Sequence, residues 1–243
     1  TVVKIVTENG AKSMGRPQGT YITIEAPELS TPDEDYHREI SEEISTHLRK
    51  LIDLKKEKSV LVIGLGNAAI TADALGPQVV DNLLMTRHII KEYGLRGIKH
   101  EKMHRISGIA PGVMAQTGME TLEVVQGIVA ETKPDYVVVI DALAARSSKR
   151  LNRTIQLSDA GIQPGSGVGN HRNSLSKETI GVPVLAIGVP TVVDAATIVY
   201  DATGDRRSVP PGLNGMFVTP KNVDEMIRRL SFTISEALNL ALS

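Results

Sequence analysis

The sequence predicts an α/β fold, a mostly parallel sheet flanked by helices, with a small N-terminal β element. Three short apolar runs, at residues 60–63, 136–140 and 184–187, are typical of fully buried strands. Amphipathic helical segments alternate with these runs, and that alternation favours parallel βαβ units. Aromatic residues make up only 3% of the chain, so we expect an aliphatic core, as covered parallel sheets have.

The N-terminal part predicts a β element followed by a helix. The run at residues 20–24 alternates and is rich in β-formers, which indicates a strand within residues 1–28. Pro32 and Asp33 give a start signal for an amphipathic helix over residues 33–53. Further along the chain the pattern predicts helices from about 76 to 93, over 120–133, from about Thr191 and over 223–242, with loops at 161–172 and 201–215.

The length of 243 residues is within reach of one large domain. We expect a single α/β domain over residues 1–243. Within it, residues 1–57 would form the N-terminal β element and helix, and residues 58–243 the core.

The amino-acid composition argues against several classes of function. Lys and Arg total 27 against 28 Asp and Glu, which argues against a nucleic-acid footprint. The absence of cysteine excludes disulfides, thiolate catalysis and Cys-ligated zinc. No apolar run approaches the ~20 residues of a membrane span, and the N-terminus lacks the apolar block of a signal peptide. We therefore expect a soluble cytoplasmic protein without a direct nucleic-acid or membrane partner.

Three aspartates follow the predicted buried strands, at the edge where open α/β sheets bind ligands: Asp73, Asp141 and Asp194. Each of them could cap a helix or hold an Asx turn, or it could be a site carboxylate. Asp141 is the first polar residue after a long apolar strand. We therefore expect it to be partly desolvated, with a raised pKa.

A pair of carboxylates can activate water while one member protonates a leaving group, or it can hold a divalent metal. Without cysteine, such a metal site would use Asp, Glu and His, with His104 or His171 as the candidate histidine. No cofactor is predicted beyond that metal alternative. Arg146 could pair with one of the carboxylates, or it could be a solvated charge.

Two glycine-rich segments resemble phosphate loops without matching one. The segment at residues 64–67 lacks the third glycine of the dinucleotide fingerprint and the Gly-Lys-Ser/Thr of a Walker A loop. It predicts a tight turn, with Gly66 and Asn67 offering groups to an oxyanion. The segment at residues 165–170 follows no apolar strand and is interpreted as a substrate-facing loop that includes Gly167 and Asn170.

Several long motifs resemble the germination protease family of spore-forming Firmicutes. They are SVLVIGLGNAAITADALGP at 59–77, TRH at 86–88, IAPGVMAQTG at 109–118, PDYVVVIDALAARS at 134–147, IQLSDAGIQPGSGVGN at 155–170, GVPVLAIGVPTVVDA at 181–195 and MFVTPK at 216–221. The resemblance covers most of the chain from about residue 59, and more loosely the strand at 19–25.

The resemblance implies an endopeptidase that degrades small acid-soluble spore proteins in the spore core during germination. It further implies a zymogen that removes its own propeptide, a homotetramer, and a sheet similar to that of hydrogenase maturation proteases. The family's two aspartates match Asp73 and Asp141. Its mechanism is disputed between an aspartic and a metallo class, and in the maturation proteases acidic residues at similar places hold nickel.

The sequence departs from the family pattern in three places. It begins close to the first β element without an obvious propeptide, the stretch at 200–215 is shorter than expected, and His171 stands where a lysine is expected. Two other classes stay open from the residues: a binding protein in which the aspartates only cap helices, and a nucleotide-binding α/β protein.

Overall fold

The computed structural model describes residues 1–97, 103–165 and 173–243, and a single mixed sheet organises them. Its strands are β1 (Val2–Ile5), β2 (Gly19–Glu25), β3 (Ser59–Gly64), β4 (Arg105–Ile109), β5 (Tyr136–Ala145), β6 (Thr154–Ser158), β7 (Val184–Asp194) and β8 (Phe217–Val218). The order across the sheet is β1-β2-β6-β7-β5-β3-β4, with β8 paired to β7. Strands β4, β3, β5 and β7 are parallel, and β1, β2, β6 and β8 join by antiparallel pairing.

Helices cover both faces of this sheet. They are α1 (Glu8–Met14), α2 (Glu34–Leu51), α3 (Leu75–Asp81), α4 (Arg87–Gly97), α5 (Met114–Thr117), α6 (Thr121–Thr132), α7 (Lys177–Ile180), α8 (Ala195–Thr203) and α9 (Val223–Leu242). The predicted start signal of α2 is confirmed, because the Asp33 side chain accepts a hydrogen bond from the Tyr36 N–H at 3.1 Å. Of the described residues, no helix combines the length and apolarity needed to cross a membrane.

Alternate residues of β5 feed two hydrophobic cores. Val138 and Ile140 pack into the core shared with α2, α3 and α9, whereas Val137 and Val139 pack into the core shared with α6. Both faces of the strand are therefore covered, which explains its continuous apolar run. The predicted α/β fold class is confirmed.

The predicted helix from about 76 to 93 is wrong, because the chain forms two helices, α3 and α4. The Thr86 hydroxyl donates to the His104 carbonyl at 2.5 Å and accepts from the Ile106 N–H at 2.8 Å. These bonds hold the segment between the helices against β4, so the chain leaves the helical path. The sequence interpretation also missed β4, β6, α5 and α7.

Strands β5 and β7 extend further than their apolar runs. They stay paired from Val137↔Val184 to Ala145↔Val193, with a register shift between Leu143 and Ala144. Asp141 therefore lies within β5 and not after it, and Asp73 lies on a 3-10 turn, Thr71–Asp73, well beyond the end of β3. The helix expected near Thr191 begins only at Ala195.

The two predicted loops are only partly irregular. Helix α8 continues to Thr203, and two 3-10 turns, Arg206–Ser208 and Pro211–Leu213, follow it. In the segment at 161–172, which was also predicted as a loop, Ile162 forms an isolated β-bridge with Leu175. Residues 166–172 lie outside the described part of the chain.

The end of β3 packs backbone to backbone against the start of α3. A Cβ added at Gly64 would lie 2.1 Å from the Gly76 carbonyl oxygen, and one at Gly76 would lie 2.3 Å from the Leu65 carbonyl oxygen. Both distances are far below any real contact, so both positions require glycine for close approach.

We predict that Gly64→Ala lowers the free energy of unfolding by about 3 kcal/mol or more, because the rigid backbone of α3 must move to admit the methyl group. Urea denaturation followed by circular dichroism measures the loss. Gly127→Ala is the matched control: Gly127 lies inside α6 with open space around it, so alanine should stabilise the chain by about 0.5–1 kcal/mol. Equal stability of Gly64→Ala and the unmodified chain would contradict the packing argument.

Candidate active site

Asp141 is a buried carboxylate, 6% exposed, fixed within β5. Its register partner on β7 is Gly188, where an added Cβ would lie 2.4 Å from Leu143 Cδ1. The preceding residue, Ile140, accepts a hydrogen bond from the Leu65 N–H at 2.8 Å. That bond brings the loop after β3 next to Asp141.

Asp73 and the turn that carries it accept hydrogen bonds from the loop after β3 and from β7. Its Oδ2 accepts a hydrogen bond from the Asn67 N–H at 2.7 Å. The preceding carbonyl, of Ala72, accepts from the Thr191 hydroxyl at 2.6 Å. The turn thereby contacts β5 and β7, and Asp141 follows Ile140, the residue of β5 that pairs with the last residue of β3.

Gly66 allows the loop after β3 to pack closely against the backbone of Asp73. Its φ is 115°, a conformation that favours glycine, and an added Cβ would lie 1.9 Å from the Asp73 carbonyl oxygen. The loop is a tight turn with close backbone approach, as its sequence predicted.

A residue that the sequence interpretation missed, Gln116 on α5, supports this loop. Gln116 Nε2 donates to Asn67 Oδ1 at 3.0 Å, and the same oxygen accepts from the Ala69 N–H at 3.0 Å. A chain of hydrogen bonds therefore runs from Gln116 through Asn67 to Asp73. The only signal in the sequence that could have pointed to Gln116 is its place in the motif IAPGVMAQTG at 109–118.

The groups of Gly66 and Asn67 that were expected to bind an oxyanion differ in whether they are already hydrogen-bonded. The Asn67 N–H is occupied by the Asp73 carboxylate. Within residues 1–97, 103–165 and 173–243, the Asn67 Nδ2 and the Gly66 N–H form no hydrogen bond, so these are the groups left for a ligand. Gly167 and Asn170, the other substrate candidates, lie outside the described residues.

Asp194 and Arg146 have structural explanations. Asp194 Oδ1 accepts from the Ala196 N–H at 2.7 Å, which makes it the cap of α8. Arg146 is exposed and forms no ion pair with the described residues, which favours the solvated-charge interpretation.

His104, one of the two histidines named as candidate metal ligands, lies away from the aspartates. It precedes β4, and its Nδ1 accepts from the N–H of Lys58, which precedes β3, at 3.1 Å. It therefore lies at the amino end of the parallel strands, about 20 Å from their carboxyl ends. His171 lies outside the described residues, and the residues that the structure does describe contain no group of three or more His, Asp or Glu side chains able to hold a metal.

These observations describe an α/β protein with two aspartates in a candidate site. Comparison with known proteins narrows the class. Residues 1–204 match the model of the germination protease family, Peptidase_A25. The chain belongs to this family and is a protease.

Curated relatives named germination protease agree with that assignment. The one from Caldanaerobacter subterraneus subsp. tengcongensis is 44% identical, over 100% of this chain and 84% of that protein. The one from Clostridium perfringens (strain ATCC 13124) is 41% identical, over 100% of this chain and 83% of that protein. The one from Bacillus subtilis is 50% identical, over 81% of this chain and 54% of that protein.

Among solved structures, a [NiFe] hydrogenase maturation protease HycI from Thermococcus kodakarensis KOD1 is similar at 21% identity and a TM-score of 0.36. The likeness covers 76% of this chain and 95% of that one. The α/β fold class rests on the sheet and helices described above.

We predict that His104 makes the free energy of unfolding depend on pH. Burial lowers its pKa below the ordinary value of 6.5. The unfolded chain then binds the proton more tightly, so stability present above pH 6.5 is lost as pH falls towards the folded pKa. His104→Asn keeps an acceptor for the Lys58 N–H and should flatten this slope in urea titrations between about pH 5 and 7.5. Identical slopes in the two proteins would contradict the prediction.

We predict that Gln116→Met lowers kcat for protein cleavage roughly fivefold with little change in KM, since it removes a hydrogen bond worth about 1 kcal/mol that orients Asn67. Gln126→Met is the matched control: Gln126 Nε2 donates to the Thr179 carbonyl at 2.8 Å, between α6 and α7. An effect of equal size in both variants would contradict a specific role for Gln116.

Proposed function

We propose that this protease is an endopeptidase that degrades small acid-soluble spore proteins during spore germination, and that Asp73 and Asp141 activate the attacking water. The observation that carries the proposal is that the turn carrying Asp73 contacts β5 and β7, while Asp141 is buried within β5. The name that the relatives share, germination protease, supports the physiological setting.

The roles of the two carboxylates follow from their surroundings. In the proposed mechanism one carboxylate removes a proton from water while the other shares a proton and delivers it to the leaving amine. Asp73 Oδ2 already accepts the Asn67 N–H, so a proton carried by Asp73 would be on Oδ1. The Asn67 Nδ2 and the Gly66 N–H are the proposed donors to the oxyanion.

Further properties are proposed on the strength of the family resemblance. They are a single α/β peptidase domain, synthesis as a zymogen with removal of a propeptide, assembly as a homotetramer, and action in the spore core. The pairing of β1 and β2 with the same sheet as β3, β5 and β7 supports the single domain.

We predict that Asp73→Asn and Asp141→Asn each reduce cleavage of a purified small acid-soluble spore protein by at least about a thousandfold, because an amide cannot exchange the required proton. Loss of intact substrate on gels measures the rate, and circular dichroism checks the fold. Asp194→Asn is the matched control, since asparagine also caps a helix and activity should persist. Full activity of either Asp73→Asn or Asp141→Asn would show that the dyad is not catalytic.

A chelator separates the two mechanistic classes that the same aspartates permit. An aspartic mechanism predicts unchanged cleavage after dialysis against EDTA. Loss of activity that a divalent metal restores would instead establish the metallopeptidase alternative. Binding without any cleavage of the substrate would establish a non-catalytic binding protein.

A further inference from the structure

Strand β5 leaves part of one edge unpaired beside the candidate site. Its pairing with β3 ends at Gly64↔Ile140, whereas its pairing with β7 continues to Ala145↔Val193. Among the residues that the structure describes, residues 142–144 therefore have a neighbouring strand on the β7 side alone. All three are partly exposed, in contrast to the buried residues 137–140. The mechanism proposed above does not use this edge.

The hydrogen bonds of β5 show which of its backbone groups face the β3 side. In a parallel ladder a residue directs its N–H and C=O to the same neighbour, and successive residues alternate between the two neighbours. The Val137 N–H donates to the Pro183 carbonyl, on the β7 side. The Ile140 carbonyl accepts from the Leu65 N–H, on the β3 side. The even-numbered residues of β5 therefore face the β3 side, and the odd-numbered residues face β7.

The same alternation makes Ala142 and Ala144 face the open edge. The register shift after Leu143 skips one residue of β7, Thr191, and no residue of β5, so the alternation continues along β5. No group in the described part of the chain hydrogen-bonds to Ala142 or Ala144 outside the strand ladder. Two N–H donors and two carbonyl acceptors are thus available to one further strand.

The chain that follows β3 does not cover this edge. The Leu65 N–H extends the ladder by one bond, but the Leu65 carbonyl is turned against Gly76, where an added Cβ would lie 2.3 Å from it. The turn that carries Asp73 contacts both β5 and β7, and it is bonded by the Thr191 side chain, which stands on a face of the sheet. This turn therefore covers a face of the strand pair and leaves the edge at Ala142 open.

Large apolar side chains are exposed on the segments around Asn67. Ile70 is 55% exposed, and its N–H donates to the Asn67 carbonyl at 3.0 Å. Met114 is 45% exposed and lies on α5, whose Gln116 bonds the Asn67 side chain. Exposed apolar groups next to a site are typical of surfaces that bind a partner, and they suit a polypeptide better than a small polar ligand.

We propose that an extended segment of a protein substrate binds as an added strand on the open edge of β5, with its backbone bonded to Ala142 and Ala144. The chain belongs to a protease family, so its substrate is a polypeptide. A strand on this edge would lie about 4.8 Å from β5 and pass beside Asp141, which brings a peptide bond close to that carboxylate. The proposal rests on the proposed function and adds how the substrate backbone is held.

Amide hydrogen exchange tests the added strand directly. The ¹⁵N-labelled Asp73→Asn variant is mixed with a saturating amount of a purified small acid-soluble spore protein and followed by NMR. We expect the Ala142 and Ala144 amides to exchange at least about tenfold more slowly than in the free variant. Bound substrate without this protection would overturn the proposal. Protection that appears without substrate and grows with protein concentration would also overturn it, because it assigns the edge to a second copy of the chain.

A proline that removes one of these N–H groups tests the same edge through cleavage. Proline is tolerated where an N–H faces an open edge, so Ala144→Pro should fold and should raise KM at least about tenfold, with a smaller effect on kcat. Val2→Pro is the matched control: Thr1 exchanges both backbone hydrogen bonds with Thr23, so the Val2 N–H faces away from β2, and KM should stay unchanged.

Unchanged KM in an Ala144→Pro variant that circular dichroism shows to be folded would overturn the proposal, and so would an equal rise in both proline variants. If Ala144→Pro does not fold, the exchange measurement decides.

The two measurements separate this proposal from the proposed function. Cleavage that persists in Asp73→Asn and Asp141→Asn would overturn the catalytic roles, and the KM comparison would still decide whether β5 holds the substrate. Binding without cleavage, with Ala142 and Ala144 protected, would overturn the proposed function alone. A spore protein that is neither bound nor cleaved would overturn both.

Discussion

The contact on which the site depends is the backbone-to-backbone packing between the end of β3 and the segment that leads into α3. Gly64, Gly66 and Gly76 permit it, because each would place a Cβ less than 2.5 Å from a carbonyl oxygen or another backbone atom. Without this approach the turn that carries Asp73 could not reach β5 and β7. In the proposed mechanism, the structural requirement for these glycines is therefore also a requirement of the chemistry.

The second constraint is the extended pairing of β5 with β7. It continues past the apolar runs to Ala145↔Val193 and so carries Asp141 into a covered part of the sheet. Thr191 on β7 then holds the Asp73 turn through the Ala72 carbonyl. One strand pair therefore carries Asp141 and anchors the turn that carries Asp73.

Local patterns in the sequence predicted those elements whose formation is determined by residues close together in the chain. The helices α2, α6 and α9, the apolar centres of β3, β5 and β7, and the tight turn at Gly66 all have periodic or compositional signals. The break between α3 and α4 has none, because it comes from bonds between Thr86 and β4. The position of His104 at the opposite edge, and the support of Asn67 by Gln116, likewise depend on tertiary contacts that spacing does not encode.

The two aspartates differ in how firmly they are held, and this difference bears on regulation. Asp141 lies in β5 and pairs with Gly188 of β7, one residue beyond the last pair that β5 forms with β3, at Ile140. Asp73 lies on a 3-10 turn: its carboxylate accepts the Asn67 N–H, the preceding carbonyl accepts the Thr191 hydroxyl, and Asn67 is in turn bonded by the exposed Gln116. Segments held by few, solvent-accessible hydrogen bonds open at lower free energy than paired strands do. In the proposed mechanism, a substrate that contacts α5 would therefore act on the aspartate pair through Gln116, Asn67 and Asp73.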